Sequence, residues 1–333
     1  MFFSYFKLVS VRKDHFVPVA YLNNFTNNTG KFHQVTKRDW RHSYIYPAQT
    51  CWKDHGNELP KELLDRFGLT DPMIVERQAF AQYENIVQDL SNLFLSHAPM
   101  LANKQYVILS QGYILHKQRT PYYQKGVDEV IALNGKEYID KAVKEQREKM
   151  TAHIKSLPDY EQIKNHPNII VYLSDNYWNT LRQKLQDEKH DSHRTQLFGI
   201  LTTAMGRNIE SVKMLGKLSV MELTIFNAAN GHHFFTSDNP GFSTGLDATQ
   251  PSGFATSNTN FNGCLAVSLP INSKQAVFIQ YGNKLITDSQ DRAIKYRDLS
   301  IQETISFNHS TIDWADEKII CADKKDLMRY KPV

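Results

Sequence analysis

Cysteine is nearly absent from this sequence: only Cys51, Cys264 and Cys321 occur, far apart and odd in number. That excludes a disulfide framework and a Cys-x-x-Cys zinc ribbon, and a reduced cytoplasmic protein is the expectation. Charge of one sign is lacking too. The 39 Lys and Arg against 35 Asp and Glu leave a net +4, far short of the dense basic stripe of a dedicated nucleic-acid binder. No hydrophobic run approaches membrane-spanning length, so no membrane partner is expected. The opening Met1-Phe2-Phe3-Ser4-Tyr5-Phe6 is too short for a signal-peptide core and has no leading charge. No Gly-x-Gly-x-x-Gly, Walker loop or Gly-x-Ser-x-Gly elbow is present, which disfavours nucleotide binding through those motifs and the α/β-hydrolase nucleophile. Internal repeats and low-complexity tracts are also missing, against a solenoid or a string of modules.

What remains is an ordinary globular balance. Of 333 residues, 41% are hydrophobic and 22% charged, enough to bury a sizeable core. The pattern along the chain indicates an α+β fold in one domain over 1–333: an N-terminal segment over 1–70, a helical region over 71–215 and a mainly antiparallel sheet over 216–333. In the first segment Pro18 suits the first turn of a short helix through Phe25, and Phe32 to Lys37 has strand character. Asp71-Pro72 then marks a helix start, and Phe80, Tyr83, Val87, Leu90 and Phe94 recur at three- and four-residue steps as one apolar stripe. Further helices are expected over Gln105–Arg119, Gln124–Ile154, Asp175–Leu185 and Arg194–Met205. Met221, Leu223 and Ile225 alternate with polar residues as in a half-buried strand, and Asn230-Gly231 predicts a hairpin turn into His232–Thr236. Cys264–Leu269, Gln275–Tyr281 and Lys318–Cys321 read as later strands, the last closing the sheet. Ser300 with Glu303 is a capping box for a helix toward Trp314.

Several polar residues stand where chemistry could use them. His15, in His15-Phe16-Val17-Pro18, could bind a metal or act as a base, or simply donate to a nearby carbonyl at the entry to the core. Helical steps of four, seven and eleven place Glu76 in line with Phe80, Tyr83 and Val87, at the centre of the apolar stripe. A carboxylate there must be partnered or shifted in pKa; Glu84 lies on the flank. Arg119 repeats the anomaly on the face of Ile108, Gly112 and Leu115. It either pairs with Glu76 between two packed helices or presents a planar fork to a phosphate or carboxylate. Thr236-Ser237-Asp238-Asn239-Pro240 follows a predicted strand. Asp238 and Asn239 there serve either a structural turn or a site held at a rigid strand end. The Gly-, Ser- and Asn-rich stretch from Gly241 to Gly263 reads as a long loop beside them. His190-Asp191-Ser192-His193 is a weaker cluster, and His232-His233 on a strand would face opposite ways and not share a metal.

These pieces resemble the bacterial family DUF4238, a domain of unassigned activity. The opening His15-Phe16-Val17-Pro18 with Tyr21-Leu22 and Phe25 is similar to the family's start. Glu76 and Glu84 fall in its Glu-containing helix, Gln118-Arg119-Thr120-Pro121 in its Arg-Thr-Pro element, and Phe235 to Pro240 in its Thr-Ser-Asp-Asn-Pro signature. Leu269-Pro270 and Asn308 complete the series, while Val19-Ala20 departs from it. The resemblance spans roughly Lys13 to Leu327. It implies a bacterial protein, some of whose relatives are associated with defence against phage, and it supplies no catalytic residues.

The resulting expectation is a cytoplasmic anti-phage effector whose site gathers His15, Glu76, Arg119, Asp238 and Asn239. In its sharpest form Glu76 and Asp238 hold Mg or Mn, His15 activates water or protonates a leaving group, and Arg119 offsets phosphate charge: a metal-dependent nuclease acting on nucleic acid. The alternative is a non-catalytic sensor or inhibitor that binds a phage protein, the same polar residues forming a structural network. A homo-oligomer is expected on general frequency alone.

Overall fold

A computed structural model describes residues 13–54, 56–187, 192–205, 207–246, 254–258, 264–282 and 290–332. The fold is α+β, as the pattern of helices and strands indicates. The described residues begin with β1 (Lys13–His15), α1 (Val19–Asn23), β2 (Phe32–Thr36), β3 (His42–Ile45) and β4 (Trp52–Asp54). Pro18 occupies the cap of α1 rather than its first turn. After α2 (Lys61–Phe67) comes a π-helical segment, Val75–Phe80, that runs into α3 (Ala81–Leu95). Then follow β5 (Met100–Leu101), α4 (Asn103–Gln118) and α5 (Pro121–Lys155). Pro121 ends one helix and starts the next, its missing N–H costing nothing in a first turn.

The chain next forms α6 (Tyr160–Ile163), α7 (Pro167–Leu173), α8 (Asp175–Asp187), α9 (Ser192–Ala204) and α10 (Ile209–Leu218). The strands β6 (Glu222–Asn227), β7 (Thr236–Ser237), β8 (Phe242–Leu246), β9 (Phe254–Ser257), β10 (Cys264–Pro270), β11 (Gln275–Gln280) and β12 (Arg292–Asp298) follow. The chain closes with α11 (Ile301–Trp314), β13 (Lys318–Cys321) and α12 (Lys324–Met328). The expected capping box is present: Ser300 Oγ accepts from the Glu303 amide at 3.2 Å and the Glu303 carboxylate accepts from the Ser300 amide at 2.9 Å.

Two compact units emerge, one from 1–123 and 196–333, the other from 124–195. The second is helical, with a small core of Ile139, Val143 and Trp178. In the first, the main sheet runs β5-β12-β6-β11-β10-β8-β9 and a smaller sheet runs β3-β2-β13-β7. The main sheet is antiparallel except where β12 pairs parallel with β6. Leu223, Ile225, Val267, Leu269, Val277 and Ile279 pack with α1, α3 and α4 in the principal core.

Three expectations change here. The turn at Asn230-Gly231 exists, with Gly231 at φ +77, but it does not make a hairpin on β6. Both edges of β6 are already taken, by β11 and β12, so the chain leaves the sheet and β7 pairs with β13 instead. β13 therefore lies inside the smaller sheet, between the N-terminal β2 and β7, and does not close the main one. The stretch from Gly241 to Gly263 is not one long loop either: its described parts form the paired strands β8 and β9.

Candidate functional site

The end of α4 organises the polar interior. Five consecutive residues there, His116, Lys117, Gln118, Arg119 and Thr120, are all buried. Burial of so many polar groups is sustainable only if most are bonded. Arg119, with its side chain 1% exposed, donates from Nη1 to Glu84 Oε1 at 2.9 Å and faces Glu76 Oε2 at 3.4 Å. Its Nη2 also donates to the His15 carbonyl, and the guanidinium lies 3.6 Å from the Phe80 ring centroid. Asn57 adds a fourth segment: its Nδ2 donates to Glu76 Oε2 at 2.8 Å and its amide donates to Asp14 Oδ2 at 3.1 Å. His15, Glu76 and Arg119 are thus brought together, joined by Glu84, Asp14 and Asn57.

The ion pair between Glu76 and Arg119 is present, but Glu76 does not sit at the centre of the apolar stripe. Its side chain is 28% exposed, as is that of Glu84. The π-helical segment alters the angular step between Glu76 and Tyr83, and such segments frequently mark functional positions. Burial nevertheless raises the Glu76 carboxyl above its ordinary value, against the opposing pull of Arg119. His15 moves the other way: burial lowers it, and its bond to the Ala48 carbonyl at 3.3 Å only partly compensates. The carboxyl is thus shifted up and the imidazole down, each by its own burial.

Asp238 and Asn239 belong to a different cluster. Asp238 accepts from the amides of Asp316, Glu317 and Lys318 at 2.9, 2.8 and 3.0 Å. It clasps the entry to β13. Burial pushes its pKa up to about 6 while those amides pull it down. Asn239 receives Lys117 Nζ at its side-chain oxygen (3.2 Å) and its carbonyl (3.3 Å), and donates from Nδ2 to the Trp314 carbonyl. Lys117 completes its shell with the Gly241 carbonyl and, at 2.6 Å, Asn258 Oδ1. The two carboxylates expected to share a cation, Glu76 and Asp238, have separate partners. Among the described residues, no group of three or more His, Cys, Asp or Glu side chains is placed to hold a metal ion.

The profile of a family described as "Protein of unknown function (DUF4238)" matches residues 13–325. The chain belongs to the DUF4238 family. Neither a curated protein nor a solved structure matches it. The end of α4 touches several of the motifs singled out in the sequence, on two separate flanks. Arg119 holds the His15 segment and the two glutamates, while Lys117 and Thr120 hold Asn239. Tyr21 ties the opening motif to the later ones, bonding Thr236 Oγ1 at 2.8 Å and the Pro270 carbonyl at 2.7 Å. Asn308 holds the Phe235 amide and the His233 carbonyl.

Sequence reasoning missed Lys117, His116, Asp14 and Asn57. The signal for the first two was the unbroken polar run before Pro121, at the end of a helix whose preceding face is apolar. His116 is buried with neither ring nitrogen hydrogen-bonded among the described residues, and lies edge-on to Tyr21 at 5.2 Å. His232 and His233 also depart from expectation. Off any strand, both reach Asp326, at 3.5 and 3.3 Å. His190 and Asp191 lie outside the described residues. All three cysteines are free and buried, and no helix among the described residues is long and apolar enough to cross a membrane.

Proposed function

We propose that this chain is a bacterial defence effector that works as a hydrolase, with Glu76 and His15 as its acid–base pair and nucleic acid as its substrate. One observation carries the reading: two solvent-reaching carboxylates, Glu76 and Glu84, are held by a buried Arg119 whose next bond is to the backbone of His15. Arg119 is itself too enclosed to meet a substrate, so its role is to position the groups above it. Glu76, raised by burial, protonates the leaving oxygen; His15, lowered by burial, takes the proton of the attacking water. The carboxylate oxygens of Glu76 and Glu84 are hard donors of the kind Mg and Mn accept. Asp238 spends both oxygens on backbone amides, so a Mg or Mn ion here would be held by Glu76 and Glu84 without it.

A second reading has its own support. Arg119 ties β1, α3 and the π-helical segment together at 1% exposure, which is also what a structural network in a non-catalytic phage-protein sensor would require.

The two separate in one experiment. Purified wild type, Glu76→Gln and His15→Gln are incubated with RNA and DNA, with and without Mg or Mn, and the same variants are plated against phage. Cleavage that disappears in both variants at unchanged melting temperature supports the hydrolase. Protection that persists in both variants, with nucleic acid intact, overturns it and favours the sensor.

A further inference from the structure

The main sheet has a second face, opposite the principal core. In cross-strand register it presents Thr244 and Phe242 of β8, Ser268 of β10, Phe278 of β11, Phe226 of β6 and Arg297 of β12. Helix α11 covers part of this face through Phe307, whose ring lies 5.0 Å from that of Phe242. Between helix and sheet is a cavity of about 290 Å³, at the lower end of the range that ligand pockets occupy.

Its lining combines three properties. It is aromatic: Phe226 and Phe278 stack on each other at 4.7 Å with 26° between their planes. The charges at its rim cancel within the protein, since Arg297 pairs with Glu303. And the side chains of Thr244, Ser268, Gln302 and Ser306 line it without a hydrogen bond among the described residues. Ser268 is only 2% exposed.

We propose that this cavity binds a neutral, planar heteroaromatic ring, the base of a nucleoside. Aromatic side chains stack such rings. Hydroxyl and carboxamide groups both donate and accept, matching the mixed edge of a base. The self-neutralised rim gives no preference to a free anion, and the volume suits one ring system rather than a polymer. The site is separate from the glutamates on Arg119 and does not depend on the hydrolase reading.

The test is ligand-detected saturation-transfer NMR on the full chain, using adenosine, guanosine, cytidine and uridine, with benzoate as an anionic aromatic comparator. At least one nucleoside should bind and benzoate should bind much more weakly. Thr244→Val keeps the side-chain shape and removes the hydroxyl, and Ser268→Ala removes that of Ser268; each should weaken binding about tenfold. Glu76→Gln should leave the affinity unchanged, whatever it does to cleavage. Failure of all four nucleosides to bind overturns the proposal. So does benzoate binding equal to theirs, or wild-type affinity in both hydroxyl variants at wild-type melting temperature.

Discussion

Lys117 and Arg119 stand two residues apart at the end of α4 and point to opposite sides of it, since two helical steps rotate a side chain by roughly 200°. Lys117 goes to Asn239, Gly241 and Asn258; Arg119 goes to Glu84, Glu76 and the His15 carbonyl. This relationship explains why two family signatures far apart in sequence meet the same helical turn without forming one shared site. The His15 segment and the Asp238-Asn239 turn are neighbours of α4, each on its own flank.

Lys117 is the cation whose loss the fold should feel. Its amine is buried and, among the described residues, bonded only to oxygens of neutral groups, and burial lowers its pKa well below the ordinary value, with Asp238 opposing. Lys117→Met fills similar space but strands the acceptors of Asn239, Gly241 and Asn258. The expected loss is about 1–3 kcal/mol, read by urea denaturation. Wild-type stability in this variant would show that the cage contributes nothing.

Asp238 should prove structural. Asn at this position keeps one acceptor and turns an NH₂ toward amides that also donate, so Asp238→Asn should cost about 1–3 kcal/mol. Hydrogen exchange should speed up at the amides of Asp316, Glu317 and Lys318 and leave those of α3 unchanged. The wild-type carboxyl has a pH signature as well. A folded value of about 6 lies above its ordinary 3.8, so its contribution is fully present below 3.8 and declines as pH rises through 6. Unaltered exchange at those three amides would remove the clasp.

Much of the fold was legible because local pattern and tertiary packing agree. The stripe Phe80, Tyr83, Val87, Leu90, Phe94 is buried as its spacing requires, and Ser300 with Glu303 starts α11 where the capping box places it. Strand partnership was not legible. Asn230-Gly231 carries a genuine turn signal, yet whether β6 has a free edge is decided by β11 and β12, more than forty residues downstream. The site was half legible for a related reason. An Arg or Glu on an apolar helix face announces that it needs a partner. Which partner it finds depends on packing, and Asp238 found backbone amides, which no side-chain pattern records.

Glu76 gives the cluster a pH dependence whose sign follows from burial. Its folded pKa is raised, first by desolvation and then, less strongly than Arg119 opposes it, by Glu84 and Asp14. A raised carboxyl stabilises below its unfolded value and loses that contribution as pH rises through the folded value. Glu76→Gln removes the titration. Relative to wild type, the variant should therefore become more stable as pH increases from about 4.5 toward neutrality, at whatever offset the lost ion pair sets. Paired melting curves at several pH values check this. A difference that stays flat, or that moves the other way, is incompatible with a raised Glu76.

Gly112 decides how closely α3 and α4 approach. A Cβ at this position would lie 2.2 Å from Tyr83 Cδ2 and 2.5 Å from Cγ, so the Tyr83 ring crosses α4 over the glycine. Two effects oppose each other in Gly112→Ala. Helix propensity favours alanine by about 1 kcal/mol, whereas overpacking a core contact costs about 1–3 kcal/mol. The contact lies beside a ring, with Val87 and Tyr113 also buried in that core, so little can give way and the clash should win. The variant should melt lower than wild type. Gly112→Ala with Tyr83→Ala should then be more stable than the sum of the two single losses allows, because the second change removes the object of the clash. Strict additivity in that cycle would mean that Tyr83 does not seat on Gly112.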